Sequence, residues 1–545
     1  MRYRKILFLF LFTFFGLKAF AATFVVTSNA DSGPGTLRDA LTQAAANGST
    51  TQDIIEFNLS DVSEAGRTIT ILTDLPNVSS NLIIDASTQP GVKFGVSDAK
   101  IKIEAQVSSS YSINNCLNIA DQHDIEIYGL MLDVPQNLIH STANFIIGIY
   151  GLASKNIIIG APGKGNIIKN IGGGIVFESN YDETEETISE NIKLSSNILG
   201  LNEDGETICD YGASNFSATR VRNLTIGGKT AAEGNVFSGQ VNVDEGTYVN
   251  FNLKTGTLYV ANNFFGTDYV GLNALPNYLV GTTLLISAFN LESVQISNNL
   301  FVARSDIGLQ NINCFFKITG NKFGTDVTGT KVLGTFQFPL ALGYCGGGGI
   351  VGGNDLGDGN IFSGAYQDGQ ASNSGGVVIN IGSPTVEVTG NSFRCNNSTY
   401  PYQLLITGST NYFVTIGSRA ANSISGTATA NSRVDLYYSL TCDHCEPEKQ
   451  FSSVNADANG KWNYSGALSD YNIVASSTSD GTTSEFTALR FINQPTDIKI
   501  KMACGAKNGS ITGFKTNTIA KYTWYDSSGN IVATTNNLVN AAPGN

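Results

Sequence analysis

The sequence predicts an all-β chain: a right-handed parallel β-helix with an N-terminal cap, followed by small β-sandwich modules. Three observations predict it. First, one phrase recurs five times: apolar, x, apolar, x, x, Asn, x, apolar. The copies begin at Ile192, Leu258, Val294, Phe316 and Val386, and carry Asn197, Asn263, Asn299, Asn321 and Asn391. Second, Asn299 and Asn321 lie 22 residues apart and Asn197 and Asn263 lie 66 apart, three times that step. A strand–turn–strand unit at such a period marks a solenoid of stacked coils. Third, the texture changes near residue 421 to alternating strands separated by Asp, Asn and Gly turns, as in an antiparallel sandwich.

Within each phrase the paired apolar residues alternate at period two, so they share one face of a strand. The Asn returns toward the interior after a turn. The five Asn residues are therefore expected to stack as a ladder, each amide donating to one neighbour and accepting from the other. Spacings of 36 and 70 residues elsewhere imply loop insertions, with segments near 178–190 and 267–290 projecting from the stack. The Gly227-Gly228 and Gly352-Gly353 pairs suit turns that need positive φ. Crossovers between parallel strands are right-handed.

In chain order, residues 1–21 read as a secretory signal peptide. Arg2, Arg4 and Lys5 precede the apolar run Ile6 to Phe15, and Ala19-Phe20-Ala21 supplies a cleavage pattern. The run is shorter than the roughly 20 residues that span a bilayer. Residues 22–52 read as the cap. A strand is followed by a Gly/Pro turn and a helix with Thr36 as N-cap, Asp39 three residues on, and Leu37, Ala40 and Leu41 on one face. Such a lid covers the raw end of a solenoid. Residues 53–420 read as the β-helix, 421–492 as a sandwich with Trp462 in its core, and 493–545 as a partial second sandwich.

Several stretches carry a resemblance. DSGPGTLRDAL (Asp31 to Leu41), NLIIDASTQPG (Asn81 to Gly91), IGGKTAAEGNVFSG (Ile226 to Gly239) and VGGNDLGDGNIFSG (Val351 to Gly364) recur in related form. With NFFGTDYVG and NKFGTDVTG, they resemble secreted right-handed parallel β-helix repeat proteins of Bacteroidetes-type bacteria. The resemblance spans about 23–420. ADANGKWNYSG with SDGTTSEF resembles an immunoglobulin-like module, usually structural. Cys504, Gly509, Ser510, Ile511, Tyr522 and Trp524 match a gliding-motility adhesin repeat. That repeat continues with further strands, so the resemblance implies a fragment of a longer surface protein. It also implies export by the gliding-linked pathway, whose sorting domain is not in these residues.

Composition narrows the partners. The chain has 14% charged and 41% hydrophobic residues and a formal charge of −13, which loss of residues 1–21 takes to −17. Such an acidic, neutral-polar surface repels phosphate backbones and excludes nucleic acid. Extracellular glycans or surface proteins are the expected partners of a monomeric stalk without a transmembrane segment.

Few residues suggest chemistry. Asp268 and Asp326, each in Gly-Thr-Asp, read as turn caps rather than calcium ligands, because no Asp-x-Asp-x-Asp spacing accompanies them. Arg304-Ser305-Asp306 reads as a surface ion pair, Asp121-Gln122-His123-Asp124 as a turn, and Asp182 to Glu186 as a solvated loop. Cys442 and Cys445 read as a short-loop disulfide, since half a zinc site is not enough for four ligands. No catalytic residue, cofactor site or metal site is assigned. The favoured function is adhesion, glycan or partner binding, or a stalk. The alternative is a polysaccharide lyase or hydrolase acting in a groove on the helix wall, with residues drawn from different coils.

Overall fold

The computed structural model describes residues 21–106, 113–135, 146–180, 187–209, 214–244, 256–275, 283–287, 291–302, 306–310, 312–334, 339–364, 377–379, 385–394, 396, 404–406, 412–440, 446–469, 471–487, 498–503, 509–514, 522–526 and 528–542. Three long sheets run through most of it. Sheet 1 has twelve strands, from Thr23–Val26 to Val386–Thr389. Sheet 2 has eleven, from Thr68–Ile71 to Ser392–Arg394, and sheet 3 has ten, from Asn115–Asn118 to Leu404–Ile406. Strands of successive coils pair in parallel, as in Ile159↔Leu194 in sheet 1 and Phe265↔Phe301 in sheet 2. The chain is a right-handed parallel β-helix.

Alternation builds the core. On sheet 1 the inward residues Ile125, Ile157, Ile192, Leu224, Leu258, Val294 and Phe316 form one column, none more than 2% exposed. Full burial of such a side chain contributes about 1.5–3 kcal/mol. On sheet 2, Phe237, Phe265, Phe301, Phe323, Phe362 and Phe393 stack face to face, with centroids 4.6 to 5.1 Å apart.

Between sheets 1 and 2 runs a buried ladder of asparagines. In order it holds Asn166, Asn197, Asn235, Asn263, Asn299, Asn321, Asn360 and Asn391, each donating from Nδ2 to the Oδ1 of the next at 2.9–3.0 Å. The same Oδ1 also accepts the backbone N–H of the Asn before it, at 2.9–3.1 Å. A second Nδ2 bond caps a strand carbonyl, such as Ile159 O for Asn197 and Ile226 O for Asn263. All eight residues are at most 2% exposed.

The ladder corrects the expected period. The 66 residues from Asn197 to Asn263 hold two coils, of 38 and 28 residues, with Asn235 between them. The 22-residue coil from Asn299 to Asn321 is the shortest step, not the unit. Coils differ in length because turns absorb residues while strand register is kept.

Of the 267–290 segment, residues 267–275 form a small loop folded onto the outward side chains of sheet 2. Thr267 bridges Ala274, and Leu275 joins Phe94, Met131 and Ile198 in an apolar layer outside the main core. Similar small loops stack on one another, with Tyr269 N donating to Gly205 O and Val327 N to Gly271 O.

At the N-terminal end the helix Leu37–Asn47 starts at Thr36, whose Oγ accepts from Asp39 N, and buries Leu37, Ala40, Leu41 and Ala44 against the first coil. At the other end sits a two-sheet antiparallel sandwich sharing a core of Ile424, Leu436, Trp462 and Ile473. Its first strand is Val414–Ala420, which sequence reading placed inside the β-helix. It pairs antiparallel with Ser423–Ala428. The sandwich lies directly on the last coil: Phe486 meets Phe393 edge-on at 5.6 Å, and Val388 N donates to Thr483 Oγ1. Beyond it, Lys499–Lys501, Gly509–Thr512 and Leu538–Ala541 form a small sheet that leaves Ile500 and Val539 exposed.

Candidate functional site

The outer face of sheet 1 carries a groove of about 440 Å³, lined by Gln52, Asp124, Glu126, Asn156, Ile158, Asn191, Lys193, Asn223 and Thr225 among others. Its geometry comes from how the chain enters each strand. Asp124, Asn156, Asn191 and Asn223 each precede a register-matched inward residue and hold φ between 56° and 57°. L-residues rarely adopt that left-handed conformation, and Asn and Asp accept it most readily. The four side chains therefore project on one line, at the strand spacing of about 4.8 Å.

They form a second, outer ladder. Asn223 Nδ2 donates to Asn191 Oδ1 at 3.1 Å, Asn191 Nδ2 to Asn156 Oδ1 at 2.9 Å, and Asn156 Nδ2 to Asp124 Oδ1 at 2.9 Å. A carboxamide offers two donors and two acceptor positions. Among the described residues Asn156 and Asn191 each use one of each in the ladder. Each exposed carboxamide thus keeps one N–H and one lone pair for a ligand.

The groove floor is the outward column Glu126, Ile158, Lys193 and Thr225, in register along the strands. Its charges are held in place. Glu126 accepts the Tyr128 hydroxyl at 2.7 Å, and Asp124 Oδ2 lies 2.7 Å from His123 Nδ1. Burial and the bond to Glu126 push the Tyr128 phenol above its ordinary range, so it remains a donor. Lys193 is 2.8 Å from Glu233, which leaves Asp124 and Glu126 to set an acidic groove.

Glu233 gives the groove a pH limit. Its hydrogen bond from Lys193 and that from Thr230 N–H lower its pKa from 4.5 to about 2. A depressed carboxylate pKa stabilises the fold above the unfolded value, and that contribution is lost as pH falls through the folded one. Between about pH 4.5 and 2, the 230–233 turn is therefore expected to loosen and release Lys193. Protection of the Thr230 amide, relative to its intrinsic exchange rate at each pH, should fall over that window in the wild type and stay constant in Glu233→Gln. Equal pH dependence in both proteins would contradict this.

The residues singled out by sequence are placed as follows. Asn197, Asn263, Asn299, Asn321 and Asn391 lie on the inner ladder, away from the groove. Cys442, Cys445 and Arg304 fall outside the described residues. Asp268 Oδ1 accepts Leu272 N and Asp326 Oδ1 accepts Thr330 N, so both close their own turns. Asp121 and Asp124 both occupy left-handed turn positions, and Asp124 also lines the groove. Among the described residues no group of three or more His, Cys, Asp or Glu side chains is placed to hold a metal ion. No helix among them is long and apolar enough to cross a membrane. A mixed-charge knot on sheet 2 is internally paired: Lys102 and Lys169 flank Asp133 at 3.2 and 3.4 Å, and Lys169 reaches Glu203 at 2.6 Å.

The groove-lining Asn156, Asn191 and Asn223 were missed by sequence reasoning. Their signal was available: an Asp or Asn directly before the first inward residue of four successive strands, in DIEI, NIII, NIKL and NLTI.

No family model matches the chain, and no curated protein matches it. Among solved structures, it is similar to the tailspike protein of E. coli bacteriophage HK620 in complex with pentasaccharide. That match has 10% identity over 83% of this chain and 88% of the other, with a TM-score of 0.23. A catalytic domain of a GH87 α-1,3-glucanase in complex with tetrasaccharides matches at 10% identity over 71% and 68%, with a TM-score of 0.22. The fold rests on the sheet topology itself.

Proposed function

We propose that the chain is an exported, non-enzymatic surface protein whose β-helix holds an extracellular glycan in the groove on sheet 1. The supporting observation is the pair of exposed carboxamides, Asn156 and Asn191, each keeping a donor and an acceptor at neighbouring rungs above a polar floor. Sugar hydroxyls both donate and accept, and a few placed polar groups are what orient a ligand in a groove. Export rests on the leader read in residues 1–21, and the surface role on the resemblance to Bacteroidetes-type β-helix proteins. The sandwich that follows is read as an immunoglobulin-like structural module, and the whole as a monomeric column.

One observation favours a second reading. Asp124 and Glu126 share the groove, and an inverting glycosidase uses two carboxyl groups about 6.5–9.5 Å apart. The hydrogen bonds already made to both carboxylates favour the binding reading. The discriminating experiment incubates residues 22–545 with a panel of polysaccharides, scoring retention and release of new reducing ends. Retention without release supports binding. Release abolished by Glu126→Gln would replace it with hydrolysis, and a protein that retains no glycan would remove both.

A further inference from the structure

Resting on that reading, we infer that the ligand is an uncharged linear polysaccharide lying parallel to the solenoid axis, read rung by rung by the left-handed Asn column of sheet 1. The direction follows from the column. Asp124, Asn156, Asn191 and Asn223 repeat along the axis at the strand spacing of about 4.8 Å, and the groove runs beside them. A chain laid across the strands would meet one carboxamide; a chain laid along the axis meets one at each rung.

The chemical class follows from what each rung offers. Asn156 and Asn191 present an N–H and a lone pair side by side, the complement of a hydroxyl, which needs both. A carboxylate or sulfate on the sugar would use the donor and face the acceptor unfavourably. The groove compounds this, because Asp124 on its wall and Glu126 on its floor are carboxylates and the floor ammonium, Lys193, is paired with Glu233 at 2.8 Å. The formal charge of −13 over the chain adds long-range repulsion of any polyanion. Ile158, between Glu126 and Lys193 in the register, gives the apolar face of a sugar ring a surface to cover.

The test uses the secreted protein, residues 22–545, titrated with unbranched neutral gluco- and manno-oligosaccharides of increasing length and with galacturonate oligomers of matching length. The expected result is affinity for one neutral series that grows with length until the rungs are filled, and weaker binding of the charged series at low salt. Asn191→Gly keeps the left-handed backbone at no steric cost and removes the carboxamide. It should weaken neutral binding about tenfold, as expected for the loss of two hydrogen bonds. Asn191→Asp, which also tolerates the conformation but removes the donor, should weaken it at least as much. Galacturonate binding as tight as the neutral series would overturn the assigned class while leaving glycan binding intact. Neutral binding unmoved by both variants would overturn the assigned place. No binding of any oligosaccharide would instead remove the functional reading on which the inference stands.

Discussion

Asn263→Ala is expected to destabilise the β-helix by about 3–6 kcal/mol, more than most substitutions on its surface. Asn263 is fully buried: its Oδ1 accepts two hydrogen bonds, and the two hydrogens on its Nδ2 are shared among three acceptors. Alanine leaves the Asn235 N–H and the Ile226 carbonyl without those partners, in a place water does not reach. Each such orphaned group costs about 1–3 kcal/mol. The loss should also be shared along the column. Asn263→Ala with Asn299→Ala should cost less than the two singles summed, because both remove the 3.0 Å bond between them. Asn197→Ala with Asn391→Ala, several rungs apart, should add. Urea unfolding of the four single and two double variants measures this. A single-variant cost below about 1 kcal/mol, or full additivity at adjacent rungs, would mean that the ladder carries little of the stability.

The same column shows how far the sequence could be read. Five members were legible because a two-residue turn keeps the Asn at a constant distance from its strand, as in Ile296-Ser297-Asn298-Asn299. Asn166, Asn235 and Asn360 were not, because their strands first run into longer turns. In the coil of Asn235, the strand Val221–Gly227 ends eight residues before it, and Gly227 with φ 89° starts the excursion. The turns before Asn235 and Asn360 stand in the recurring phrases Ile226 to Gly239 and Val351 to Gly364, yet their Asn residues belong to the same ladder. Counting Gly-Asn-apolar-apolar at 165–168, 234–237 and 359–362 would have completed it. The false 22-residue period had the same origin, since two coils of 38 and 28 residues sum to three of the shortest.

The groove was less legible for a different reason. Its wall comes from residues one position outside the apolar alternation, where a strand pattern predicts only an exposed side chain. What singles them out is backbone conformation: a row of residues at φ near 56° favours Asn and Asp for steric reasons that resemble ordinary turn chemistry in one dimension. Only when the coils stack do DIEI, NIII, NIKL and NLTI place their first residues on one line. Likewise, the contact between the sandwich and the last coil joins residues about 95 positions apart, such as Val388 and Thr483, with no local signature.

That contact yields the other large expected effect. A protein ending near residue 412, lacking the sandwich, should aggregate under conditions in which the full chain remains in solution. The last coil ends in backbone donors that the sandwich satisfies: Phe393 N to Pro447 O at 3.0 Å, Asn396 N to Glu446 Oε1 at 2.8 Å, and Gly390 N to Tyr437 Oη at 3.2 Å. Without it, Val386, Val388 and Phe393, now at most 1% exposed, would end an open stack with three unpaired sheet edges. Phe486 closes the phenylalanine column edge-on and meets Tyr437 at 5.4 Å, which ties the four-stranded sandwich sheet to the helix core. An ion cluster fastens the side. Asp435, fully buried, takes Arg433 at 2.9 Å and the Thr389 hydroxyl at 2.9 Å, while Arg433 also reaches Glu387 at 2.8 Å. Burial alone would lower the Arg433 pKa, but Asp435 and Glu387 raise it, so the guanidinium stays charged. Asp435 also accepts from Ser453, so Asp435→Ala removes three partners' bonds at once and should loosen the seam and lower the melting temperature without deleting the module. Light scattering and thermal unfolding of the truncation and of Asp435→Ala measure both steps. A truncated β-helix that stays monomeric and melts with the parent would make the sandwich a passenger. Aggregation of the truncation with early melting in Asp435→Ala would make it the solenoid's second lid, the counterpart of the helix Leu37–Asn47 at the other end.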